Sequence, residues 1–126
     1  MSRKHLRILT QGRAFYAMHF FLADYFRITS SDSIGALLSC MLFLNDGKTA
    51  DPVLWEDWCE IVGDHPITIM QAFLGMNTFL HRYFQGTTSV NVKNMFYNIS
   101  LVIDDKPNKE EVWRQWVMCV EKAFKD

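Results

Sequence analysis

Six carboxylates crowd one stretch of this chain: Asp46, Asp51, Glu56, Asp57, Glu60 and Asp64, with Lys48 the only lysine or arginine among them. Carboxylates gathered this way can hold a hard cation, transfer protons as a catalytic pair, or dock against a basic surface. The first use fails on spacing. DGKTAD (46–51) lacks the alternating acidic ligands of a calcium loop, and Asp57 stands at the twelfth position, where such a loop closes with a glutamate. The second fails on direction, because Glu56-Asp57 and Glu110-Glu111 are adjacent pairs whose side chains diverge around a helix. A merely solvated acidic helix and a docking face for a basic partner remain, and helix capping already explains Asp51.

The other reactive side chains form no site by spacing. His5, His19, His65 and His81 are too scattered for metal ligands, and sequence ties no second titratable group to the His81-Arg82-Tyr83 run. Cys40, Cys59 and Cys119 contain no CxxC pair and no zinc-like Cys/His spacing. They sit among apolar neighbours and read as buried free thiols in a reducing compartment. GxSxG, phosphate-loop, dinucleotide and HExxH patterns are absent from the sequence. The expectation is a protein that is not an enzyme, with no catalytic residue, no metal and no cofactor.

The scaffold that must position the carboxylates is written twice. Residues 13–26, RAFYAMHFFLADYF, return as QAFLGMNTFLHRYF at 71–84, a constant offset of 58 residues. At that offset Thr10 meets Thr68, Ser31 meets Ser89, Trp55 meets Trp113, Trp58 meets Trp116 and Val62 meets Val120. All four tryptophans pair, which marks an internal duplication over about 9–63 and 67–121. Ala14, Met18, Phe21, Leu22 and Tyr25 lie on one helical face, and the second copy keeps that face as Ala72, Met76, Phe79, Leu80 and Tyr83. A second helix follows a cap near Ser31-Asp32 and carries Ile34, Leu37, Leu38 and Met41. Its counterpart follows Ser89 and carries Val92, Met95, Phe96 and Ile99, although FYNISLVI has strand character and Gly35 weakens the first copy. A third helix opens with Asp51 as cap and Pro52 in its first turn, then carries the Trp55, Trp58 and Val62 stripe. Its counterpart opens with Asn108 and Glu111 spaced as a capping box and carries Trp113, Trp116 and Val120. The predicted fold is all-α: one domain over 1–126, a compact six-helix bundle of two three-helix repeats related by a pseudo-twofold axis. The tryptophans belong to its core, and neither half covers its own apolar face.

Composition agrees with a packed domain. Hydrophobic residues make up 49% and aromatics 14%, which excludes disorder, and a formal net charge of −1 argues against direct nucleic-acid binding. The basic start, MSRKHLRILTQGR, lacks the apolar stretch of a secretory signal, and FYAMHFFLADYF is too short for a membrane span. A cytoplasmic protein without membrane contact is expected. The charge is unevenly placed: residues 1–30 carry +4, residues 31–66 carry −6 and residues 67–126 carry +1. Between the copies Glu56 becomes Arg114, Asp57 becomes Gln115 and Glu60 becomes Met118. Divergence of exposed charge within a shared framework points to a surface task acquired by the first copy.

LTQGRAFYAMHFFLADYF (9–26), SSDSIGALLSCM (30–41) and DGKTADPVLWEDW (46–58) resemble small bacterial immunity proteins, including those of contact-dependent growth inhibition systems. The similarity covers mainly 9–63; the second half keeps the tryptophans but not the DG…DP element. The resemblance implies a non-catalytic protein whose partner is a cognate toxin domain, the C-terminal part of an effector. Such toxins are often nucleases with basic active sites, which suit an acidic inhibitor. On this reading Asp46, Asp51, Glu56, Asp57, Glu60 and Asp64 contain the docking charges, and a homodimer would follow if the repeats leave an apolar face uncovered. The rival readings are a general protein-interaction or regulatory helical module without a toxin partner, and an enzyme or small-molecule binder with a deep polar pocket.

Overall fold

Thr10 turns the chain into its first helix by accepting, on its side-chain oxygen, the backbone N–H of Arg13. The computed structural model describes residues 8–45, 48–99, 102, 103, 106, 107 and 109–125. Helix α1 (Gln11–Thr29) buries Ala14, Met18, Phe21 and Leu22 of the predicted face together with Phe15 and Ala17, while Tyr25, also expected there, is half-buried. It ends at Ser30, whose φ of 52° is left-handed and costs a residue with a Cβ some strain. Ser31 then caps α2 (Asp32–Met41), accepting the Ile34 N–H. Gly35, a weak helix former, has a packing reason. A Cβ there would lie 2.7 Å from Phe26 Cε1, so the glycine lets that ring lie over α2.

Helix α3 (Pro52–Val62) begins as expected, with the Asp51 carboxylate accepting the Val53 N–H and Pro52 in the first turn. Helix α4 (Ile69–Tyr83) is opened by a capping box in which Thr68 and Gln71 each satisfy the other's backbone N–H. Helix α5 (Val90–Ile99) buries Val92, Met95 and Ile99, and helical packing overrides the strand character of FYNI. Helix α6 (Glu110–Lys125) carries Glu110 and Glu111 in its first turn and Lys122 and Lys125 in its last, both favourable against the helix dipole. Asn108, the expected first member of its capping box, lies outside the described residues.

The architecture is all-helical, with six helices among the described residues. Short ribbons join the ends, and only the strand character of FYNISLVI (96–103) pointed to any of them. Strand β1 (Ile8–Leu9) pairs antiparallel with β2 (Ile67–Thr68), setting Leu9 opposite Ile67. Strand β3 (Val102–Ile103) pairs with β4 (Lys106–Pro107). Two-residue strands leave no alternation to read.

All six helices feed one core, centred on Trp58, Trp116, Phe15, Phe21 and Phe73. The Trp58 indole N–H donates to the Gln11 carbonyl at 2.9 Å, and the Trp116 indole N–H donates to the Ile69 carbonyl at 3.1 Å. Phe21 meets Trp116 edge-on at 5.9 Å, and Phe79 meets Trp58 edge-on at 6.0 Å. Each tryptophan therefore packs against a phenylalanine from the opposite half of the chain. Helix α6 lies along α1, pinned where Arg13 donates to the Ala123 carbonyl and stacks on Phe124, and where Lys122 covers Phe20. Helix α3 lies along α4, close enough that a Cβ on Gly75 would come within 2.7 Å of Val62 Cγ1.

Candidate partner-docking face

Helix α3 is fixed at both ends and along its inner side. Asp51 holds its start. At its end the Gly63 N–H donates to the Cys59 carbonyl, while the Gln11 amide donates to the Gly63 carbonyl at 2.8 Å and to the His65 carbonyl at 3.3 Å. Inward, Leu54 and Trp58 are buried, and Trp55 meets Phe15 and Phe43 edge-on at 5.6 and 5.5 Å. The helix cannot roll without breaking the Trp58 bond to Gln11.

The opposite side of α3 carries Val53, Glu56, Asp57 and Glu60, a stripe at helical spacing. Val53, Glu56 and Glu60 are exposed and Asp57 is half-buried. Among the described residues no ion pair neutralises Glu56 or Asp57. Glu60 accepts from the Arg82 guanidinium of α4 at 3.4 Å, but both side chains are more than half exposed and the pair is weak.

The remaining expected docking residues are placed differently. Asp51 sits at the start of the helix and is half-buried, with its carboxylate engaged as the cap. Asp64 lies just past α3, almost fully exposed and 3.3 Å from the His65 imidazole. Asp46 lies outside the described residues. The structure therefore brings Glu56, Asp57 and Glu60 together on one stripe, with Asp51 behind it and Asp64 beyond its far end.

Sequence reasoning missed Arg82 as a site residue and placed Tyr83 on the apolar face of its helix, whereas Tyr83 is 39% exposed. With Asp51, Val53, Leu54, Asp57, Ile61 and Phe79 they line a cleft of about 290 Å³ between α3 and α4. The signal was available in part, since Arg82 stands 58 residues after Asp24 with the opposite charge. The pairing of α3 with α4 was not. Burial pushes the Tyr83 phenol up from its ordinary range, with further contributions from Cys40 and Asp51, so it stays a neutral hydroxyl at the edge of the cleft. A second, shallower hollow lies on the α1 side, lined by Gln11, Trp55, Cys59, Gly63 and Asp64. Burial raises the Cys59 thiol too, which disfavours the reactive thiolate. No three His, Cys, Asp or Glu side chains among the described residues are grouped to hold a metal ion.

No family model, curated protein or solved structure matches the chain. Among the described residues no helix is long and apolar enough to cross a membrane.

Proposed function

We propose that this is an immunity protein: a cytoplasmic, non-catalytic inhibitor that binds a basic toxin domain, of the nuclease type, through the outer side of α3. One observation carries the reading. A rigidly held helix presents Glu56, Asp57 and Glu60 outward, and only Glu60 has a basic partner among the described residues. An inhibitor of a basic groove needs a pre-formed surface of opposite charge, which speeds encounter and fixes orientation.

The scaffold, on this reading, is two copies of a three-helix unit about a pseudo-twofold axis. Contacts that recur 58 residues apart support it: Trp58 to Gln11 with Trp116 to Ile69, Ser31 capping at Ile34 with Ser89 at Val92, and Thr10 capping at Arg13 with Thr68 at Gln71. Leu9 and Ile67, themselves 58 apart, face each other across the β1–β2 pair, where such an axis would pass. The second copy completes the core, and the first carries the acidic surface. At the matching places on α6 stand Arg114, which pairs with Glu110, Gln115, which bonds Asp24, and exposed Met118.

The test is to express the C-terminal portion of the reading frame immediately upstream, alone and together with this protein. Immunity predicts that the fragment stops growth alone, and that it is harmless and co-purifies when co-expressed. A benign fragment, or killing despite co-expression, excludes immunity toward that neighbour and favours a regulatory interaction module.

A further inference from the structure

The two long helix seams carry matching positions, but they are closed differently. In the α1–α6 seam a chain of polar contacts spans the gap. Lys109 Nζ donates to Asn98 Oδ1 at 2.7 Å, Asn98 Nδ2 lies 3.4 Å from the Tyr25 hydroxyl, and Gln115 Nε2 donates to Asp24 Oδ2 at 3.1 Å. Fifty-eight residues away, in the α3–α4 seam, these places are held by Asp51, Cys40, Tyr83, Asp57 and Arg82. No side-chain hydrogen bond links those five among the described residues. Asp51 is turned to the Val53 N–H, and Arg82 reaches Glu60. The seam is left with the cleft of about 290 Å³, apolar on Leu54, Ile61 and Phe79, acidic at Asp51 and Asp57, and with Arg82 also in its lining.

We propose that this cleft is an anchor site for one lysine or arginine side chain of the protein partner. The inference rests on the docking reading above and deepens it, by separating one cavity from the general acidic surface. The aliphatic stem would lie on Leu54, Ile61 and Phe79, leaving the cationic head between the Asp51 and Asp57 carboxylates, with the Tyr83 hydroxyl as a further acceptor. In the matching seam a lysine of the chain, Lys109, stands at the place of Asp51 and donates to Asn98, beside the Tyr97 ring at 5.0 Å. Arg82 also lines the cleft and would compete for the same carboxylates; it reaches Glu60 at 3.4 Å in an exposed pair.

The probe is n-butylguanidinium, titrated into the isotope-labelled protein by NMR, with neutral n-butylurea as the control of the same shape. The cleft predicts saturable shifts centred on Leu54, Ile61, Phe79 and Tyr83 with the cation, and much weaker ones with the urea. Asp51→Asn with Asp57→Asn should weaken the cation about tenfold or more, since each carboxylate removed takes a charge-assisted hydrogen bond. Asparagine still caps α3, so the melting temperature checks that the fold survives, and Asp57→Asn alone serves if the double variant does not fold. Glu111→Gln on α6 should leave the cation's affinity unchanged. Equal shifts from the urea, or unchanged affinity in the Asp57→Asn variant, overturn the proposal. Probe binding in the cleft without protection from the co-expressed toxin fragment would sink immunity and leave the anchor site standing. Protection without probe binding would do the reverse.

Discussion

Trp58 joins the core to the acidic stripe of α3: its ring fills the centre, its N–H fixes α1 through Gln11, and its helix carries the stripe on the other side. Trp58→Ala should therefore lower stability by about 3–5 kcal/mol in denaturant unfolding, as large core truncations do, and should not act as a selective loss of binding. Cys119 gives a second prediction at this scale. Burial first, and then the neighbouring Asp24 carboxylate, push its thiol from 9.0 up to about 12, with Lys122 opposing. A folded pKa above the unfolded one means the folded state holds its proton more tightly. This contribution is intact below 9.0 and is lost as pH rises toward about 12. Stability measured by denaturant midpoint should fall over that window, and Cys119→Ser should flatten part of the fall. At residue scale the sequence was informative wherever a side chain acts locally. Asp51, Pro52 and Ser31 read correctly as start signals, and Trp58 and Trp116 read correctly as core. Arg82 did not, because its meeting with Glu60 depends on how α3 lies against α4.

Each helix was legible in proportion to the length of its apolar stripe. The α1 and α4 faces stand out because Ala, Met, Phe and Leu recur at helical steps, and the same residues are buried in both. The Thr68–Gln71 capping box passed unnoticed, although its Thr–x–x–Gln spacing is in the sequence. Thr68→Ala should cost about 1 kcal/mol, measured by chemical unfolding. The acidic stripe of α3 belongs to this scale as well. Replacing Glu56, Asp57 and Glu60 with Gln, Asn and Gln should change stability by no more than about 0.5 kcal/mol each, because none of these side chains is buried. The same changes should weaken the partner complex and shrink its salt dependence, read by titration at two ionic strengths.

At the scale of the whole molecule the two halves lend each other aromatic rings, Phe21 to Trp116 and Phe79 to Trp58. Neither half can close its core alone, so unfolding followed by tryptophan fluorescence and by circular dichroism should give one coincident transition. The ribbon between Leu9 and Ile67 was not readable, since its pairing is set by how the halves meet and not by either segment's own pattern.

The central claim is that the acidic face of α3 neutralises a toxin domain. Its most direct measurement is growth of cells expressing the upstream toxin fragment with the native protein or with the folded Glu56→Gln, Asp57→Asn, Glu60→Gln variant. The account predicts protection by the native protein and its loss in the variant, both accumulating to the same level. Equal protection by the two would contradict it.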